Sequence, residues 1–184
     1  MTSDLIQIYR FAARSRQASD PRSAGYLADA HALGMEAVRR LECQDLYFIE
    51  GVLQPGEGGR IARELLSDPI TQSVDWGHFF SGDSPPAGQD VPGVHVIEVA
   101  LRPGVTDPVA EQIVRSAGVL GIQGIRRAST GLRFEITGDT LTRDDLLTLA
   151  KRLLANAVIH RYALGQIEPV FPQAAEASAH SETL

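Results

Sequence analysis

The chain has 184 residues and an apolar fraction of 43%, enough for one large or two small cores and too much for a disordered chain. Its 17 basic against 23 acidic side chains leave a net charge of -6, which argues against nucleic acid as a partner because phosphate binding needs clustered Lys and Arg. The lone Cys43 cannot form an internal disulfide, no Cys or His cluster has zinc-site spacing, and no run approaches the roughly 18 apolar residues of a membrane helix, so a reducing, cytoplasmic setting without metal or membrane is expected.

The opening stretch MTSDLIQIYRFAARSR carries an early Asp4 and no long apolar core, so it reads as a first strand and not as a signal peptide. Asp20 and Pro21 have the chemistry of a helix start: the carboxylate accepts from free helix N–H groups, and proline lacks the N–H that would be unpaired at that position. Ala24, Leu27 and Ala28 follow on one face, and Gly34 ends the helix as a permissive residue. The β-rich runs AVRRLEC and LYFIEG read as a hairpin. Ile61, Ala62, Leu65 and Leu66 form the stripe of a second helix, and ITQSVDW from Ile70 reads as a closing strand.

After FFSGDSPPAGQDVPG, a Gly-, Pro- and Asp-rich linker, the same series begins again. VHVIEVAL is a strand in which His95 and Glu98 interrupt an apolar run. Asp107-Pro108 starts a helix with Ala110, Ile113, Val114 and Ala117 on one face, Gly121 ends it, and GIRRAS with LRFEIT around Gly131 reads as a second hairpin. Thr142 with Asp145 resembles a capping box ahead of the stripe Leu146, Leu149, Ala150, Leu153 and Leu154. VIHRYAL from Val158 closes the series.

Asp20 to Gly51 matches Asp107 to Gly138 at a constant offset of 87, and after one inserted residue IARELLSDPITQSVDWG matches LAKRLLANAVIHRYALG. The shared positions include caps and turns as well as core residues, which points to an internal duplication. The expected organisation is a module at 1-77, a linker at 78-93, a second module at 94-165, and a disordered tail or linker at 166-184 in which Pro169 to Pro172 form a short anchor. The expected fold class is α+β: two β-α-β-β-α-β modules packed as a pseudo-dimer, because small modules of this size gain core by pairing.

At LLANAVIHRY the second module resembles the C-terminal end of the PurS small subunit of phosphoribosylformylglycinamidine (FGAM) synthase, and VALRPGVTDP is similar to that family's first strand, loop and helix start. LYFIEG and ELLSDPITQ in the first module resemble the PurS-like N-terminal segment of long single-chain synthases. His160 and Arg161 depart from the acidic residues usual before the Tyr, and Leu132 stands where a Lys is common, so partner surfaces differ. The resemblance implies a non-catalytic part of a ligase of de novo purine biosynthesis that transfers glutamine-derived ammonia at the expense of ATP. It implies a protein complex in which this chain bridges a glutaminase subunit and a large synthetase subunit or domain, with a homodimer also compatible. ATP, Mg and glutamine belong to the full enzyme, and no cofactor is expected in this chain.

No catalytic set emerges from the residues. Cys43 lies on a strand with no His near it in sequence and reads as structural, and PGEGGR lacks the Lys-Ser/Thr of a phosphate loop. Arg39, Arg40, Arg126 and Arg127 recur at matching places and, with His160, Arg161 and Tyr162, are the candidate partner-interface residues; solvated side chains are the plainer reading of the arginines. The alternative function is an ACT-like pair of small-molecule-binding regulatory domains, although RSRQASDP and RPGVTDP replace the glycine-rich turn such a site uses. An RNA-binding sheet needs more than Tyr47 and Phe48.

Overall fold

A computed structural model describes residues 5–17, 20–79 and 92–172. The elements run β1 (Gln7–Ser15), α1 (Pro21–Ala32), β2 (Arg40–Gly51), α2 (Glu57–Arg60) continuing into a π-helical turn (Ile61–Leu65), and β3 (Gln72–His78). The second half repeats them: β4 (Val94–Leu101), α3 (Pro108–Val119), β5 (Ile125–Thr137), α4 (Arg143–Leu149) with its π-helical turn (Ala150–Leu154), and β6 (His160–Leu164). The strands form one antiparallel six-stranded sheet in the order β3-β1-β2-β5-β4-β6. Most of the expected linker and tail, residues 80–91 and 173–184, lies outside the described residues.

The helix starts follow from their caps. Asp20 accepts from the Arg22 N–H and Asp107 from the Ala110 N–H, each with proline next in the chain. Thr142 and Asp145 form the reciprocal capping box. Gly34 and Gly121 follow α1 and α3 with φ of 82° and 77°, a left-handed conformation that other residues adopt at a cost.

The two expected hairpins are absent, and each half is β-α-β-α-β. AVRRLEC–LYFIEG and GIRRAS–LRFEIT each run straight through as one long strand, and β2 pairs with β5 from Arg40↔Thr137 to Gly51↔Ile125. Gly131 does not turn the chain. A Cβ there would stand 2.5 Å from the Val99 carbonyl oxygen, so its glycine serves the close approach of β4. A strand of this length buries one face locally and draws its ladder from a partner far away in sequence, which no local pattern announces. The closing strands start two residues later than expected, because Ile70 and Val158 lie in exposed turns before them.

The four helices of the described residues pack on one face of the sheet, where the core divides into two clusters, each drawing on both halves. Ala30 of α1 joins Leu41 and Cys43 of β2 with Ile97, Phe134, Ile136, Leu149 and Leu154 of the second half. Ala110, Ile113 and Ala117 of α3 join Tyr9, Phe11, Ile49, Ile61 and Leu66 of the first. Among the described residues the opposite face carries no helix, yet Ala12, Leu46, Phe48 and Ala100 are buried there, packed with Phe79 after β3 and with Ile167 and Phe171 after β6. Gly165 continues the contact through a bridge to Ile97. Among the described residues no helix is long and apolar enough to cross a membrane.

Candidate partner-binding surfaces

The four arginines do not form one patch. Arg39–Arg40 and Arg126–Arg127 stand at opposite ends of the β2–β5 pair, roughly 35 Å apart at the rise of an extended strand. Arg127 lies across from Glu50 and donates to it through Nε and Nη2, both at 2.7 Å, while its guanidinium sits 5.2 Å from the centre of the Phe171 ring. The hydrogen bond from Arg127 holds the Glu50 carboxyl below its usual range and raises the Arg127 pKa in turn. At the other end Thr137 replaces the carboxylate, and Arg40 turns along its own strand to Glu42. Arg39 pairs with Asp139 at 2.8 Å in the open, and Arg126 is exposed.

His160, Arg161 and Tyr162 alternate along edge strand β6 and do not converge. Tyr162 packs against the core on the helix side. Arg161 donates to the Leu101 carbonyl at 3.2 Å and to the Glu168 carbonyl at 2.6 Å, fastening the segment after β6 to the sheet. His160 Nδ1 accepts from the Asn156 N–H at 3.1 Å, and burial lowers its pKa.

Three of the recesses among the described residues border these elements. Where β1 leaves β2 beyond the Ala13–Asp45 pair, a cleft of about 500 Å³ opens beside Arg14, Arg16, Ser23, Arg40 and Gln44. Each of its guanidinium groups is engaged within the chain: Arg14 with Asp75, Arg16 with the Gln72 carbonyl, Arg40 with Glu42. The matching cleft of about 660 Å³, where β4 leaves β5, lies between the 102–106 loop, Asp107 and Phe171. The freed strand N–H groups are caught by side chains, Cys43 N–H by Ser23 Oγ at 3.0 Å and Thr130 N–H by Asp107 Oδ2 at 2.8 Å. The third recess, about 370 Å³, is an apolar groove over Tyr47 between Leu65, Val109 and Ile113, and burial pushes the Tyr47 phenol up to about 12.

Cys43 offers no nucleophile. It is 3% exposed, burial pushes its thiol up to about 11, and the charged groups acting on it are Arg22, Asp45 and Asp20 with no imidazole among them. Among the described residues no three His, Cys, Asp or Glu side chains are placed to hold a metal ion.

The strongest polar constellation was not singled out from the sequence. Glu98 of β4, fully buried, accepts on Oε1 from Arg10 Nη2 at 2.5 Å and Arg133 Nη1 at 2.9 Å, and on Oε2 from the Ile167 N–H at 2.8 Å. Arg133, 2% exposed, donates its Nε to Glu135 at 3.1 Å. Arg10 reaches this cluster from β1, across β2 and β5, and its Nε is buried without a partner. A carboxylate interrupting the apolar run VHVIEVAL was the available signal; its partners lie on strands no local pattern connects.

Residues 94–168 match the family model described as PurS: Phosphoribosylformylglycinamidine (FGAM) synthase. The chain is 28% identical over 72 residues to the phosphoribosylformylglycinamidine synthase subunit PurS of Archaeoglobus fulgidus, an alignment that spans 37% of this chain and 90% of that subunit.

Proposed function

We propose that this chain is a non-catalytic assembly module of FGAM synthase in de novo purine biosynthesis, in which two PurS-like halves form a covalent pseudo-dimer that bridges a glutaminase and an ATP-dependent synthetase. The observation that carries the reading is the match of residues 94–168 to the PurS family model, in a half whose strands are mirrored by the other half across the β2–β5 pair. The 72 residues aligned to the Archaeoglobus fulgidus subunit span 90% of it, which is consistent with one half of this chain having the extent of one such subunit. ATP, Mg and glutamine would then act on partner proteins, in the cytoplasm.

Arg39, Arg40, Arg126, Arg127, His160, Arg161 and Tyr162 divide under this reading. The exposed Arg39, Arg40 and Arg126 are the ones available to an acidic partner surface, the first two by exchange of their solvent-facing pairs with Asp139 and Glu42, whereas Arg127, Arg161 and Tyr162 hold the chain's own segments together. Affinity copurification of the full chain with the glutaminase and synthetase of its source, followed by reconstituted FGAM synthesis, tests the proposal. Activity that depends on the chain is expected. Full activity without it, or no association, overturns the assignment.

The two clefts at the starts of α1 and α3 favour a second reading, a pair of small-molecule-binding regulatory domains. A saturable rise in melting temperature with an amino acid or nucleotide, and no association with the synthase proteins, is the outcome that selects it.

A further inference from the structure

Gln44 of β2 is 4% exposed, and its side-chain amide makes no hydrogen bond to any described residue. Its cross-strand neighbour Arg133 gives Nη1 to Glu98 and Nε to Glu135, and Glu42, two residues along the same face, takes Arg40. Buried amides in folded proteins are almost always paired, by protein or by ordered solvent. Among the described residues the one side-chain atom both sealed from solvent and unpartnered is Arg10 Nε, so the Gln44 amide is open to the cleft of about 500 Å³ that it lines.

That cleft exists because the strands part early. Continued past Ala13↔Asp45, the β1–β2 register would set Arg14 against Gln44 and Arg16 against Glu42; in the second half the place of Arg14 and Gln44 is closed by the pair Ala100↔Gly131. The shared backbone plan therefore does not call for a polar side chain at residue 44. Of the nearby arginines, Arg14 faces Asp75, Arg22 faces Asp45 and Arg40 faces Glu42, whereas Arg16 gives Nε to the Gln72 carbonyl at 2.7 Å and pairs with no described carboxylate. Arg16 is exposed and water satisfies it in the free protein, so the buried amide is what marks the site.

We propose that the first-half cleft binds a small, singly charged carboxylate, its oxyanion held by the two Nη groups of Arg16 and a neutral hydrogen-bonding group of the same ligand held by the Gln44 amide. The inference takes from the second reading above only that this cleft holds a small molecule, and it stands whether or not the chain also associates with a synthase. A guanidinium fork suits carboxylate and phosphate oxygens alike. Asp20 and Glu42 border the same cleft, and their carboxylates repel a doubly charged phosphate more strongly than a monoanion. Gln44 offers both a donor and an acceptor, so a hydroxyl or a carbonyl on the ligand fits it. The matching cleft of the second half keeps an arginine, Arg102, but its buried polar groups are Asp107, spent on α3 and Thr130, and the Ser129 hydroxyl.

The test is a titration of the full, isotopically labelled chain with lactate, hydroxybutyrate and inorganic phosphate, followed by nuclear magnetic resonance. The Gln44 side-chain amide signals, assigned by their loss in Gln44→Met, are expected to shift saturably with at least one of the carboxylates, and phosphate should bind about tenfold more weakly. Arg16→Gln and Gln44→Met should each weaken carboxylate binding by about tenfold or more, read in the second variant from the backbone signals of Ser23 and Cys43. In the free protein Gln44→Met should leave the urea midpoint unchanged or raised, because it removes an amide without a partner. No saturable shift, the result for a cleft filled by water only, overturns the proposal; so does a lowered midpoint, phosphate binding as tightly as the carboxylates, or unchanged affinity in Arg16→Gln. Binding that survives both substitutions and is lost in Arg102→Gln places the ligand in the other cleft, and then the proposal falls while the second reading stands.

Discussion

The two halves share a backbone plan and fill it with different chemistry. Ala12 and Leu46 keep one side of the helix-free face apolar, while Glu98 and Arg133 make the other ionic at matching positions. On the helix side Tyr26 lies edge-on to Phe134 at 5.0 Å, whereas the matching pair is Ile113 and Tyr47, and a groove stays open above Tyr47. Position by position, the first half is set up as an apolar platform and the second as the bearer of a charge that must be matched. A fold of this kind tolerates exchange of packing chemistry so long as strand register and helix caps are kept.

The largest effect in breaking this comparison is expected at Glu98. Glu98→Ala removes the acceptor shared by Arg10, Arg133 and the Ile167 N–H, leaving buried cations uncompensated, and should cost about 3–5 kcal/mol in urea unfolding. Ala12→Gly at the matching place in the first half removes one methyl and no charge partner. Its cost should be about 1 kcal/mol, that of glycine in a strand interior. Equal costs at the two places would remove the ionic contrast between the halves.

Thr142 caps α4 through its side chain, whereas α2 begins after Gly56, whose φ is 89° and which offers no side-chain bond. Thr142→Ala should destabilise the protein by about 1 kcal/mol, read as a shift in denaturation midpoint at unchanged slope.

Thr137→Glu sharpens the comparison in the other direction by giving Arg40 the cross-strand carboxylate that Arg127 already has in Glu50. A gain of about 0.2–1 kcal/mol is expected, largest at low salt, because the pair stands at the exposed end of the strands.

The smallest effect concerns His160. Burial lowers its pKa from 6.5 and its Nδ1 accepts the Asn156 N–H, so the unfolded chain binds more protons than the folded one as the pH falls below about 6.5. Its contribution is present above that pH and is lost as the pH drops through the folded-state value. The matching residue of the first half is Gln72, which does not titrate. His160→Gln should therefore flatten the fall in melting temperature between pH 7 and pH 5 slightly; an unchanged slope shows that the imidazole does not contribute.

Helix starts were legible in the sequence because a cap is a local device: Asp20-Pro21, Asp107-Pro108 and Thr142 with Asp145 need only their own first turn to act. The apolar stripes of the second helices were legible for the same reason, as was the burial of Cys43. The continuity of β2 and β5 was not, since Gln44-Asp45 and Thr130-Gly131 look like turn chemistry until the partner strand is known. Nor was the role of Ile167, a buried residue in what reads as a featureless tail, because its burial depends on a sheet face that the helices do not cover. Among the candidate surface residues, sequence placed the arginines at matching points of the two halves, while their partners depend on whether residue 50 or 137 carries a carboxylate.

Each helix-side cluster takes α1 or α3 from one half and a π-helical turn from the other, so neither half encloses its own core. During synthesis the first half leaves the ribosome with Phe11, Ile49 and Ile61 still waiting for α3, which begins 47 residues after Ile61 and 97 after Phe11, and for β5 beyond it. At roughly 5–20 residues per second that wait lasts several seconds. The nascent chain must pass through this interval with β2 as an open strand edge, and folding must close a long loop before either cluster forms. Synthesis as one polypeptide fixes the partner's arrival time and keeps its local concentration high, so completion of the sheet does not depend on encounter with a second molecule.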